Sequence, residues 1–293
     1  MASRRRALRL AIALTIATTS TLGIGCLRPR RAARSATTTR TISPTTATTL
    51  ATTTGSGSAY ELLPDPEAAE EPVASASIDT FTSSVPEGTP ATIYSALDGD
   101  VCATMLRGRG VPFSEVTAGA RGVDRPMRLT GPVRGIVYHS GVAPKDRATS
   151  PYEIVDCRLL LAIDDLSRIL ASHGVVEVVH FSMYRPPSAK VKAGDKRSQH
   201  EAALAIDLAE MIKGDGSKLN VLNDWHGGIG QKTCGPDAGP SPATAEAKEI
   251  RKILCDTATA RLFNVMLTPN YNAPHKNHFH LEVTRGVKWF IVH

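Results

Sequence analysis

Apolar residues recur with helical spacing between Asp156 and Ser172, at Leu159, Leu160, Ile163, Leu166, Ile169 and Leu170. That period predicts a helix with one buried face, and His173-Gly174 supplies its stop. Val175 to Phe181 is a mostly apolar, valine-rich run and reads as a buried strand. A shorter helix is expected over Val101–Arg107, with Asp100 placed to cap its start and Gly108 to end it. Pro132–Tyr138, Leu204–Leu208 and His278–Val283 read as strands, and Ala243–Arg261 as a second amphipathic helix. Gly- and Asn-rich segments at 213–220 and 223–230 read as loops. The mixture predicts an α+β domain in which helices flank a small, mainly antiparallel sheet.

Order is expected to begin near Ile93-Tyr94, because nothing before it has apolar periodicity. Arg4–Arg6 and Arg9 precede an apolar, Thr-interrupted stretch from Leu10 to Ile24, too short to span a bilayer comfortably. This is the pattern of an export signal over residues 1–25, and it implies a periplasmic or cell-envelope protein. The signal ends at Gly23-Ile24-Gly25-Cys26, a small residue before a cysteine, as in bacterial lipoproteins. Cys26 is therefore a candidate lipid anchor to the membrane. Gly23 stands where such signals usually carry leucine, and ordinary cleavage nearby is the alternative. Residues 26–90 are rich in Thr, Ala and Ser, then acidic and Pro-containing (Leu63-Pro64-Asp65-Pro66-Glu67), the composition of a disordered tether. Residues 91–293 remain as one folded domain, long enough for a sizeable core.

The net charge of +6 changes meaning once it is placed along the chain. Residues 1–34 hold eight arginines and no acids, so the rest carries 26 Lys+Arg against 28 Asp+Glu. No nucleic-acid surface follows from that balance. Beyond Cys26 four cysteines remain, Cys102, Cys157, Cys234 and Cys255, an even number suited to disulfides in an exported chain. Three pairings are open. Cys234–Cys255 would close a short loop and leave Cys102–Cys157. No CxxC spacing favours zinc ligation by these cysteines.

The chemistry concentrates in two clusters, Ser198-Gln199-His200…Asp207 and His275-Lys276-Asn277-His278-Phe279-His280. If 277–283 is a strand, His278, His280 and Glu282 share one face, with neighbours about 6.5–7 Å apart. One imidazole can then hold a metal while the other addresses water or substrate. Two His and one Asp suit Zn²⁺ with a fourth position open. Taken singly, His278 and His280 would read as partly buried histidines and Asp207 as a strand-end acid. Their joint order and spacing point to a metal site.

Ser198 to Asp207 resembles the SxHxxGxAxD motif of the zinc D-alanyl-D-alanine carboxypeptidase, murein endopeptidase and hedgehog fold group. The His275, His278, His280 run is similar to the murein endopeptidase branch, and Tyr184-Arg185-Pro186-Pro187 to a tyrosine–arginine turn of the carboxypeptidase branch. The texture of Cys102–Phe113, Tyr152–Arg158 and Phe263–His280 most resembles bacterial extensin-like C-terminal domain proteins, and the resemblance covers roughly residues 95–285. The resemblance implies a hedgehog/DD-peptidase-like fold, with one zinc ion held by His200, Asp207 and His280. It implies His278 as general base and then proton donor, and Arg185 as the holder of a substrate carbonyl or carboxylate, a salt bridge being the other reading. Ser198 would orient the ligand loop, and Tyr184 and His275 would flank substrate or ligands. Ala203 departs from the motif, which has glycine there. Trp225-His226 reads as a loop anchored by one aromatic rather than as a groove wall.

The resulting expectation is an exported zinc peptidase that cleaves peptidoglycan stem peptides at a D-amino-acid amide, as a carboxypeptidase or a cross-link endopeptidase. The alternative is a metal-stabilised module that binds wall peptide or glycan without cutting it.

Overall fold

A computed structural model describes residues 88–188 and 198–293. The export signal, Cys26 and nearly all of the expected tether lie outside the described residues. Helix α1 (Pro90–Ala96) opens with proline in its first turn, where no amide proton is needed. It starts slightly ahead of the Ile93-Tyr94 expected from the sequence. Helix α2 (Gly99–Gly108) begins two residues earlier than expected, because Asp98 rather than Asp100 caps it, accepting from the Asp100 amide at 2.8 Å. Short strands β1 (Phe113–Glu115) and β2 (Pro126–Leu129) follow.

The strand expected over Pro132–Tyr138 is displaced. Val133 and Ile136 exchange both backbone hydrogen bonds across Arg134 and Gly135, each at positive φ, which makes a tight two-residue turn. The strand proper is β3 (Val137–Ser140), followed by the single-turn helix α3 (Pro144–Arg147) and β4 (Val155–Asp156). Helix α4 (Cys157–Ser172) carries the predicted apolar stripe. Leu159, Leu160, Ile163, Leu166 and Leu170 are all buried, and Asp156 caps the start. Gly174, at φ +74°, turns the chain into β5 (Val175–His180).

The apolar run at Leu204–Leu208 is the start of a longer strand, β6 (Ala205–Lys213), buried from Ala205 to Met211. Part of the segment expected as loop is structured: β7 (Lys218–Asn220) pairs back onto β6, and helix α5 (Val221–Asp224) adds one turn. Helix α6 (Ala245–Thr259) is followed by β8 (Val265–Leu267), β9 (Phe279–Glu282) and β10 (Ile291–Val292). Trp225 is a buried anchor: its Nε1 donates to Asn270 and its ring packs edge-on against Phe279.

The fold is α+β. Strands β1, β2 and β4 form a small antiparallel sheet. The main sheet runs β10-β8-β9-β6-β5-β3, with β7 beside β6. Its centre is antiparallel as expected, but β3 pairs with β5, and β10 with β8, in parallel, so the sheet is mixed. Helix α4 packs on β5 and against α1, α2 and α6. Among the described residues no helix is long and apolar enough to cross a membrane.

Two disulfides tie the helices in: Cys102–Cys157 joins α2 to the start of α4, and Cys234–Cys255 joins a loop to α6. They close 55 and 21 residues respectively. On chain entropy alone these constraints are worth about 4 and about 3 kcal/mol. Replacing Cys102 and Cys157 by serine should therefore lower the free energy of denaturant unfolding more than replacing Cys234 and Cys255. Equal losses, or the reverse order, would contradict this assignment.

Candidate metal centre

Strand register brings the two sequence clusters together. β6 and β9 are antiparallel with Asp207 opposite His280 and Leu208 opposite Phe279. Side chains alternate faces, so Asp207 and His280 emerge on one side while Leu208 and Phe279 fill the core on the other. A slip of one residue would bury the wrong pair.

His200 arrives from the loop before β6. Ser198 caps a 3₁₀ turn over Gln199–Ala202, its Oγ accepting from the His200 amide at 3.3 Å. The turn closes at Ala203, which adopts φ +54°, ψ +32°, the left-handed region for which the resembled motif carries glycine. An alanine there costs about 1–2 kcal/mol of backbone strain. Its methyl is fully buried against Ile154 and Tyr184, and its backbone bonds to Gln199, His200 and Asp156. Packing and hydrogen bonding hold the strained turn, so the departure from glycine leaves the loop closed.

Four side chains meet at Asp207. Its Oδ1 lies 3.1 Å from His200 Nε2, 3.0 Å from His280 Nδ1 and 3.4 Å from His278 Nε2. His200 Nε2 and His280 Nδ1 are themselves 3.3 Å apart. Among the described residues, His200, Asp207 and His280 are the group of buried His, Cys, Asp and Glu whose donor atoms all lie within 4.8 Å of one another. A tetrahedral ion with N and O ligands at about 2.0–2.1 Å sets those ligands roughly 3.3 Å apart. The triangle matches that edge. The orientation fits as well: His200 Nδ1 faces the Met183 carbonyl at 3.3 Å, and in the tautomer that donates there Nε2 turns a lone pair toward the other two atoms. Two nitrogens and a carboxylate oxygen this close form a donor set that could hold a cation.

Burial pushes the Asp207 carboxyl up, but the surrounding His200, His278 and His280 hold it well below the usual carboxylate range. Burial pushes His280 down, and the carboxylates of Asp207 and Glu282 more than offset this, raising it to about 10. The centre thus recruits positive charge, as a proton when no ion is bound. His278 is lowered to about 4 and His275 to about 3, burial being the largest cause for each, so both are neutral near pH 7.

The other predicted residues sit around this centre. His278 approaches Asp207 but stands beside the donor set rather than within it. Its Nδ1 donates to the Asn277 side-chain oxygen at 2.9 Å, which leaves Nε2 toward the centre, and Phe181 packs edge-on against its ring. His275 is buried behind it, ring centroids 5.1 Å apart, with Nδ1 fixed on Asn272 Oδ1 at 2.6 Å. Arg185 donates to Asp207 Oδ2 and, through Nε, to Ser182 Oγ at 2.9 Å. Tyr184 does not join the cluster; its hydroxyl donates to the Arg121 carbonyl at 3.0 Å and its ring supports Ala203. Sequence reasoning assigned no part to Met183, Ser182, Asn272, Asn277 or Glu282, which orient the five central side chains. Asn277 and Glu282 were marked by their places beside and one alternation beyond the histidines. The Met183 carbonyl had no side-chain signal at all.

The model for the C-terminus of extensin-like proteins matches residues 102–291. The chain belongs to that family. Among curated proteins and solved structures nothing matches it.

If the triangle binds a divalent ion, zinc at one hundred times its Kd should stabilise the native protein by about 2.7 kcal/mol. His200→Ala, if its far-UV circular dichroism is native-like, should lose that thermal shift and the bound equivalent found by metal analysis. An equal shift in parent and variant would place the ion elsewhere.

Proposed function

We propose that this protein is a zinc-dependent amide hydrolase exported to the cell envelope, where it cuts peptidoglycan stem peptides at a D-amino-acid amide. Removal of a terminal D-amino acid and opening of a cross-link both fall within that reading. The observation that carries it is His278, a neutral base pinned by Asn277 with Nε2 3.4 Å from Asp207 Oδ1 yet outside the donor triangle. A site that only held a metal would need the triangle and not this residue.

His200, Asp207 and His280 would hold the ion. When bound, zinc supplies acidified water and polarisation of a carbonyl. His278 accepts a proton from the attacking water at Nε2 and returns it to the departing amine nitrogen. Its fixed Nδ1–H holds the ring in the tautomer that can do both. Arg185 holds the substrate carbonyl or carboxylate, its planar fork braced by Ser182 and by the outer oxygen of Asp207. Phe181 and His275 wall the base away from bulk water.

The substrate class rests on the resemblance of the two ligand motifs to zinc D-alanyl-D-alanine carboxypeptidases and murein endopeptidases, as does the hedgehog/DD-peptidase type of fold. The signal-like N-terminus, the tether-like composition that follows it, a candidate lipidation site at Cys26 and two disulfides agree with an extracytoplasmic wall substrate. The second reading, a metal-stabilised wall-binding module, uses the same triangle but gives His278 no task.

Incubation of the zinc-loaded protein with sacculi and soluble muropeptides should release D-alanine or convert dimers to monomers, identified by mass spectrometry. His278→Ala should lose about 10²–10⁴-fold in kcat while keeping its zinc. Retention on sacculi without any product from the parent would replace the hydrolase by the binding module.

A further inference from the structure

His280 faces the donor triangle with Nδ1, and its other nitrogen is engaged. Nε2 lies 3.0 Å from Glu282 Oε2, two residues along the same face of β9. The second carboxylate oxygen, Oε1, accepts from the Thr284 hydroxyl, the next position in the same alternation. The segment carrying this ladder is fixed from β8's side: the Asn264 side-chain oxygen accepts from the Thr284 amide at 3.0 Å, and the Asn264 amide donates to the Glu282 carbonyl at 2.8 Å. Glu282 is largely buried, its side chain 14% exposed, and no lysine or arginine pairs with it among the described residues. Its charge is therefore directed at His280.

We infer that Glu282 is a positioning residue that selects the nitrogen His280 presents to the metal. A half-turn of the imidazole about its Cβ–Cγ bond exchanges Nδ1 with Cδ2 and Nε2 with Cε1. The flipped ring would turn C–H groups toward both Asp207 and Glu282, losing a charge-assisted hydrogen bond on one side and a ligand on the other. With the ring unflipped, the carboxylate engages Nε2 and leaves Nδ1 as the nitrogen that faces the triangle. A carboxylate hydrogen-bonded to the distal nitrogen also makes the imidazole a stronger donor. The ladder His280, Glu282, Thr284 thus does for β9 what the Met183 carbonyl does for His200. This inference rests on the metal reading of the triangle.

The test measures zinc Kd by chelator competition on the full chain, together with ¹⁵N shifts of the His280 ring. Glu282→Ala should weaken zinc about 10–100-fold. In the zinc-loaded protein it should also let the ring turn and bind through either side, where the parent's shifts mark Nδ1 alone as the metal-bound nitrogen. Glu282→Gln, whose amide oxygen can still accept from Nε2, should keep that signature and lose only about three- to tenfold. A folded Glu282→Ala with a Kd within twofold of the parent overturns the proposal while leaving the metal centre standing. If Glu282→Ala does not fold, Glu282→Gln decides alone, and a Kd within twofold again overturns it. A parent that binds no zinc overturns both.

Discussion

A buried carboxylate with three imidazoles around it is the constraint on which the rest of this structure turns. Asp207 is wholly enclosed in the central strand, where an ionised acid is costly unless its charge is answered. Arg185 answers one oxygen and the histidines the other. Everything nearby serves to deliver those partners. The β6–β9 register brings His280, the strained turn at Ala203 brings His200, and the 3₁₀ turn before β9 brings His275 and His278. Loop and sheet therefore stand or fall together, because neither cluster makes a site without the other.

Much of this was legible in the sequence where one physical signal dominated. The period in α4 gave a helix with nearly the right ends, and alternation along 278–282 put His280 and Glu282 on one face. Reading failed where local chemistry outran hydrophobic pattern. The apolar stretch at Pro132–Tyr138 hides a turn, because Arg134 joins Gly135 at positive φ, which arginine does not advertise. Asp98 outcompetes Asp100 as a cap by one turn geometry against another. The pairing of β7 with β6 is a long-range gain that a polar, Asn-containing segment does not announce. The ligand motifs named the central side chains, but the groups that orient them are a backbone carbonyl and short polar residues with no spacing rule of their own.

The arrangement also divides the four histidines by the kind of group that anchors each ring. His200 and His280 have their distal nitrogens tied to strong acceptors, a carbonyl and a carboxylate, as ligands do. His278 and His275 are tied instead to neutral side-chain amides. A neutral anchor fixes the ring without raising its basicity, which suits a group meant to gain and lose a proton. This division of support among the four histidines underlies the hydrolytic reading.

The central claim is that His200, Asp207 and His280 converge on one ion. It is tested most directly by a crystal structure of the zinc-soaked protein with data collected on both sides of the zinc absorption edge. The account predicts a single strong anomalous peak about 2.0–2.1 Å from His200 Nε2, Asp207 Oδ1 and His280 Nδ1. No peak at this triangle, or a peak coordinated by other residues, would contradict it.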